Sequence, residues 1–213
     1  MPQNFTSLKD ETLRMFKNPI MHYLSQVHYS TPLLIFVPVI LLFLYSSLFV
    51  QSLSFLLVAF LYLTGLFIWT ITEYILHRFV FHWQPPGKWG AKIHFWVHGV
   101  HHEYPNDSKR LVMPPLMSIP LAIVHYWLFS LALGSYVDPF FSGFLTGYLM
   151  YDMLHYAIHH ASIAHPIFQD LKKHHMLHHF QDPHRGYGVS SKFWDIVFRT
   201  TFQLKKSNTM VGQ

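Results

Sequence analysis

No cysteine occurs among the 213 residues. Its absence excludes a disulfide framework, a thiolate zinc site and a cysteine-held iron-sulfur cluster, so any metal must be held by nitrogen or oxygen. Charge is scarce too: Asp, Glu, Lys and Arg make up 12% of the chain, against 51% hydrophobic and 18% aromatic residues. An ordinary soluble domain carries roughly 25% charged residues, and neither a water-soluble globule nor a disordered chain fits this balance. The formal charge of +5, set against such an apolar excess, points to an anionic membrane face and not to nucleic acid. At this length one domain is expected.

From Asn18 to Thr72 there is no Asp, Glu, Lys or Arg, which is enough chain for two membrane helices of about 20 residues each. Spans are expected at about 31–50 and 53–76, with a polar break from Ser46 to Ser54. A second uncharged run, Leu111 to Val137, gives a third span at about 113–134. After the turn Gly134-Ser135-Tyr136-Val137-Asp138-Pro139, a fourth lies at about 139–159. All 15 Lys and Arg residues lie before the first span, between Arg78 and Arg110, or from Lys172 onward. By the positive-inside rule both termini and the long central connection are cytosolic. In the N-terminal segment 1–30, expected to be cytosolic or interfacial, Pro2 to Asn18 is polar and amphipathic at best and shows no cleavable signal, so the first span is the expected targeting element.

Helix rise places the chemistry in depth. At 1.5 Å per residue, a helix entering at Leu53 has climbed roughly 30 Å at Glu73, and His77 lies about 6 Å further. A helix starting near Pro139 brings His155 and His159 to roughly 24 and 30 Å, the same level. Two spans therefore deliver histidines to one cytosolic border.

The chain has 18 histidines, and they are patterned. His77 and His82 bracket HRFVFH; His98, His101 and His102 form HGVHH; His155 and His159 form HYAIH; His175, His178 and His179 form HMLHH. On a helix the i, i+3, i+4 spacings put each HxxHH group and the HYAIH pair on one face. His77 and His82, five apart, share no α-helical face, so that pair is expected to work only if the helix ends between them. Ten imidazoles exceed the six positions of an octahedral ion and so call for at least two metals. His22, His28, His94, His125, His160, His165, His174 and His184 are read as non-ligands. Glu73 and Asp152 lie one turn before His77 and His155; with Asp195 they are expected to accept the second ring N–H of ligands and offset the metal charge.

Other features read as structural. Gly143 and Gly147 form a GxxxG helix-packing surface, and Trp69, Tyr74, Trp83, Trp89 and Trp96 fit an interfacial belt or the wall of an acyl channel. Lys109 and Arg110 are candidates for lipid headgroup contact. All-histidine ligation at a membrane border suits a pair of irons activating dioxygen against an inert C–H bond, whereas zinc fits the same ligands without redox chemistry. A hydroxylase or desaturase, a zinc hydrolase and a metal transporter compete. No ionisable residue sits near the midplane of a span, which disfavours a transporter, and a hydrolytic zinc site keeps three protein ligands, not ten imidazoles.

The segments EYILHRFVFHWQPP, HFWVHGVHHEYPNDSKRLVMPP, YDMLHYAIHH, LKKHHMLHHF and GYGVSSKFWDIVF, from Glu73 to about Thr200, resemble the fatty acid 2-hydroxylase branch of the fatty acid hydroxylase superfamily. The resemblance implies an all-α integral membrane fold: a four-helix anchor, a cytosolic helical cap (77–112 and 160–213) and a dimetal centre between them, together forming a domain over 31–213. It also implies the ten ligands named above, two iron ions with zinc possible in purified samples, and dioxygen as cosubstrate. The reaction it implies is 2-hydroxylation of a fatty acyl chain, free or in a sphingolipid, with electrons from a cytochrome b5 type donor. Desaturation of a fatty acyl or sterol substrate is the nearest rival, because both reactions begin with removal of hydrogen. The His-Pro-Gly-Gly haem motif of a fused cytochrome b5 is absent from the sequence, so the donor is expected to be a separate protein. The ending SNTMVGQ carries no retention signal of the KDEL type; a bacterial inner membrane and an endoplasmic reticulum both remain open.

Overall fold

The computed structural model describes residues 6–202; the final SNTMVGQ, and with it the reading of a missing retention signal, lies outside them. The described residues form helices and no strand. In chain order these are α1 (Pro19–Leu24), α2 (Thr31–Tyr45), α3 (Phe55–Ile75), α4 (Gly87–His94), α5 (Val100–Glu103), α6 (Pro115–Leu133), α7 (Val137–His160), α8 (Pro166–Phe180) and α9 (Phe193–Val197). Single wider π-helical turns extend α2 over Ser46–Val50 and α3 over Leu76–Phe81, and a third, Phe95–Gly99, joins α4 to α5.

By length and apolarity three stretches can cross a membrane: Thr31–Val50, Phe55–Phe81 and Pro115–His160. The third, 46 residues long, is broken by a 3₁₀ turn at Gly134–Tyr136. There Gly134 takes φ 54°, a conformation that only glycine adopts at little cost. The two halves fold back on each other, with Phe129 against Phe140 and Phe144, and Tyr126 against Phe141. Asp138, in the first turn of α7, fixes this far end by accepting from Tyr126 at 2.9 Å and from Gln51 at 2.8 Å.

Outward faces of the long helices remain apolar. Leu56 is 80% exposed and Leu34 74%, as expected of surfaces solvated by hydrocarbon and not by water. Inward packing is set by small residues, because between helices in lipid close approach replaces the hydrophobic drive. A Cβ on Gly65 would stand 1.8 Å from the Phe140 carbonyl oxygen, one on Gly143 1.8 Å from that of Tyr62, and one on Gly147 2.6 Å from the Trp69 side chain. The GxxxG surface of α7 thus receives α3, and Gly65 answers it from the other side. Contacts that pair 62 with 143 and 69 with 147 make α3 and α7 parallel, so both helices end at one level. The short helices α4, α5 and α8 gather beyond that level, and α9 packs beside the last turns of α3, with Trp194 against Phe67 and donating to the Thr70 hydroxyl at 2.9 Å.

The aromatic belt divides. Trp83 and Trp89 are exposed, but Trp69 and Tyr74 are buried, and Trp96 lines a cavity. Trp69 packs against Phe144, Tyr148 and Tyr151 of α7, so its indole fills the seam between the parallel helices instead of marking a headgroup layer.

Candidate metal centre

The ten patterned histidines meet in two groups of five: His77, His82, His98, His102 and His178, and His101, His155, His159, His175 and His179. Within each group one donor nitrogen per ring lies within 4.8 Å of all the others. Among the described residues none of the other eight histidines joins either group.

Composition of the two groups follows one rule. Each takes a pair from the end of a long helix, the i, i+4 pair of one HxxHH motif, and the i+3 member of the other. Thus His98 and His102 are joined by His178, and His175 and His179 by His101. The two motifs exchange their middle histidines, and His102 stacks on His179 across the boundary with ring centroids 4.4 Å apart.

The expectation that α3 must end between His77 and His82 is corrected. Winding continues as a π-turn in which His82 N–H donates to the His77 carbonyl at 3.2 Å. A π-turn bonds i to i+5 and so brings residues five apart onto one face. The Nε2 atoms of His77 and His82 stand 3.3 Å apart, and His82 Nε2 is 3.0 Å from that of His178. His98 Nε2 lies 3.1 Å from both His77 and His102. In the second group His155 Nε2 is 3.0 Å from His101 and 3.1 Å from His175, with His159 and His179 at 3.1 and 3.0 Å from His175.

These spacings fit metal ligation. Nitrogens about 2.1 Å from an ion subtend about 3.0 Å at a right angle and about 3.4 Å at a tetrahedral one, and the observed values lie between these, all but the 3.3 Å His77–His82 separation at the right-angle end. Tautomers agree with that geometry. His77 Nδ1 donates to the Tyr187 carbonyl at 2.5 Å, His178 Nδ1 to Arg185 at 2.7 Å, and His155 Nδ1 to Leu111 at 3.2 Å. A ring that donates through Nδ1 offers a bare lone pair at Nε2. Converging lone pairs repel one another unless a cation stands between them. Nδ1 of His101, His175 and His179 is buried without an acceptor, so the second group relies more on packing for its ring orientations. Burial, and then the neighbouring imidazoles, hold His98, His101, His102, His175 and His179 well below the usual imidazole range. His178 is lowered to about 4, burial again the larger cause. Neutral rings at pH 7 are the ligating form.

The carboxylates stand one link further out than expected. Neither Glu73, Asp152 nor Asp195 accepts from a ring of the two groups; backbone carbonyls take that role. Glu73 instead accepts from the N–H groups of Val189 and Ser190 at 2.8 and 2.9 Å, and from the Ser190 hydroxyl. Asp195 accepts from Tyr187 and Gly188 N–H at 2.9 and 2.8 Å, from the Thr200 hydroxyl at 2.7 Å and from His174 Nε2 at 3.0 Å. Burial alone would raise Asp195, but these four donors outweigh it and hold the carboxyl below its usual range. Together the two acids pin the 187–190 loop whose Tyr187 carbonyl orients His77. Asp152 accepts from Met113 N–H at 3.4 Å, two residues from the Leu111 carbonyl that orients His155. The residues missed by side-chain reasoning, Leu111, Arg185 and Tyr187, act through main-chain oxygen, which no side-chain pattern encodes.

A cavity of about 300 Å³ opens onto both groups, reaching His98 of the first and His101 and His155 of the second. Its other walls are mostly apolar, including Phe16, Phe81, Trp96, Leu116 and Met117. The N-terminal segment closes one side: Ser7 N–H donates to the Glu103 carbonyl at 2.9 Å, Thr12 to Asp107 at 2.8 Å, and the Phe16 ring lies tilted against Trp96 with centroids 5.3 Å apart.

Several known proteins are similar to this chain. A dihydroceramide fatty acyl 2-hydroxylase of Arabidopsis thaliana is 44% identical over 138 residues, which is 64% of this chain and 58% of that protein. A ceramide very long chain fatty acid hydroxylase of Saccharomyces cerevisiae is 41% identical over 154 residues, covering 70% of this chain and 40% of the relative. The human fatty acid 2-hydroxylase is 40% identical over 144 residues, 66% of this chain and 39% of its own length. The match thus spans between about two fifths and three fifths of these relatives. A solved structure described as full-length scs7p with only the hydroxylase domain visible superposes with a TM-score of 0.82 at 35% identity, over 88% of this chain and 71% of that one. The sequence model of the family described as Fatty acid hydroxylase matches residues 62–200, and the chain therefore belongs to the fatty acid hydroxylase family.

Proposed function

We propose that this chain catalyses dioxygen-dependent 2-hydroxylation of a fatty acyl chain, free or amide-linked in a sphingolipid, at a centre of two irons held by the two groups of five histidines. The observation that carries this reading is the apolar cavity ending on His98, His101 and His155: an acyl chain that fills it presents its carbons to both groups at once. Support for the substrate class comes from the relatives, whose names specify fatty acyl and ceramide 2-hydroxylation.

His77, His82, His98, His102 and His178 would hold one ion, and His101, His155, His159, His175 and His179 the other. Bound iron supplies the reductive activation of dioxygen that an inert C–H bond demands, which no side chain here can provide. The chain's own contribution is orientation and exclusion. Carbonyls of Leu111, Arg185 and Tyr187 fix three rings as Nε2 donors. Phe16, Phe81 and Trp96 keep water from the cavity and take up the acyl chain. No general base is required of the protein.

In this reading α2, α3, α6 and α7 are four crossings, and the short helices with both termini form a cytosolic cap, consistent with positive residues on one side only. The membrane is a bacterial inner membrane or endoplasmic reticulum, and electrons arrive from a cytochrome b5 type or other donor. The test is expression with a reductase and donor, followed by mass spectrometry of membrane lipids. One added oxygen at C2 is expected. Loss of two hydrogens without added oxygen would overturn the hydroxylase reading in favour of a desaturase.

A further inference from the structure

Among the described residues that line the cavity outside the histidine groups, two are of the Asp, Glu, Lys and Arg types, Arg110 and Asp152. Arg110 is not the surface lipid contact its sequence position allows: its side chain is 4% exposed. Nη2 donates to the Leu13 carbonyl at 2.6 Å, but Nε and Nη1 are buried and make no hydrogen bond. Nη1 stands 3.5 Å from Asp107 Oδ2, and that oxygen is itself without a hydrogen bond. Native proteins seldom leave buried donors unmatched, because each forfeits the hydration it had in the unfolded chain. An acceptor brought into the cavity would answer this deficit.

The chemistry of that acceptor follows from its surroundings. Asp107 already neutralises the guanidinium, so this wall residue offers unmatched N–H groups more than net positive charge. A neutral carbonyl oxygen on an apolar chain suits it better than a free carboxylate, which would face Asp107. Spacing is fixed as well. Arg110 precedes Leu111, whose carbonyl orients His155, so the donor and a ring of the second histidine group are held by adjacent residues of one backbone segment.

We infer that Arg110 anchors the acyl carbonyl oxygen of the substrate, and by fixing its distance from the histidine groups selects C2 as the reacting carbon. This rests on the acyl hydroxylase reading given above. The anchor is a specificity determinant and leaves the ligand set untouched.

Binding tests it without turnover. The purified full chain in phosphatidylcholine nanodiscs is titrated with a long-chain fatty acyl methylamide brominated in mid-chain, and with the brominated alkyl methyl ether of equal length, which lacks the carbonyl. The reading is the fluorescence quenching that Trp96→Phe removes, since Trp96 lines the cavity. Wild type should prefer the amide about tenfold, the range of one hydrogen bond to a charged donor. Arg110→Met should bind both probes alike, whereas a purely structural role would weaken both equally and keep the ratio. If Arg110→Met does not fold, the ratio is read on Arg110→Gln, where an intermediate preference is expected. A wild-type preference retained in the variant, or absent from wild type, overturns the inference. In turnover, Arg110→Gln should spread hydroxyl onto carbons beyond C2, and product confined to C2 would likewise count against the anchor. Wild type that discriminates the probes but yields no hydroxylated lipid would refute the hydroxylase reading and leave the anchor standing.

Discussion

Glu73 of α3 and Ser190, 117 positions later, are joined by two hydrogen bonds: the carboxylate accepts from both the N–H and the hydroxyl of Ser190. With Val189 N–H as a third donor, this buried acid clamps the C-terminal loop onto the end of a membrane helix. Glu73→Ala leaves those donors buried without an acceptor and should destabilise the protein by about 2–4 kcal/mol. Because the clamped loop orients His77, metal content of the surviving folded fraction should also fall. A thermal shift in detergent, read beside elemental analysis, checks both; an unchanged melting temperature would contradict the clamp.

Asp195 holds the other end of the same loop. Asp195→Asn keeps one acceptor oxygen where the carboxylate serves four donors, and it should lower the melting temperature and weaken metal retention. His174→Ala removes one of those donors and touches no ligand, so it should lower stability by about 1 kcal/mol with metal content unchanged. Loss of a full metal equivalent in His174→Ala would show that the set of ten is misassigned.

The π-turn makes a separate prediction. Inserting one alanine after Phe79 rotates His82 away from His77 and should remove the first metal while leaving the second group loaded. Elemental analysis of the folded protein should then show about half the wild-type metal. Full retention would mean that the five-residue spacing does not matter.

Packing of α3 on α7 is expected to be intolerant. Gly143→Leu places a side chain where a Cβ alone would stand 1.8 Å from the Tyr62 carbonyl oxygen. Overpacking of this kind costs about 1–3 kcal/mol or more, and backbone at the contact cannot move aside as a side chain would. Reduced yield of monodisperse protein in detergent is the expected outcome; wild-type yield and melting temperature would contradict it.

Much of this was legible in the sequence because its constraints are local. Charge-free runs marked the long helices, and eight of the ten grouped histidines followed from i, i+3 and i+4 spacings that hold on any α-helix. His77 and His82 were also picked out, but the geometry that joins them was not, because a π-turn departs from the α-helical period assumed in reading faces and a five-residue gap looked like a helix end. The partition of each HxxHH motif between two centres was also hidden. His98, His101 and His102 span only about 100° of one face, and which ring turns to which centre depends on where the His77–His82 turn and the end of α7 place their own histidine pairs. Glu73 and Asp195 were picked out as important, but both hold the 187–190 loop largely through its backbone N–H groups, more than a hundred residues from Glu73 and seven or eight from Asp195, and no pattern of side chains shows a loop being held.

The exchange of middle histidines between the two motifs is the central claim, and paired substitutions measure it most directly. Metal content is determined by elemental analysis for His98→Ala with His178→Ala, and for His98→Ala with His101→Ala, in protein shown to be folded. The first pair, distant in sequence but in one group, should lose one of two equivalents; the second, three residues apart but in different groups, should lose both. Equal losses in the two double variants, or the reverse order, would contradict the two-centre arrangement.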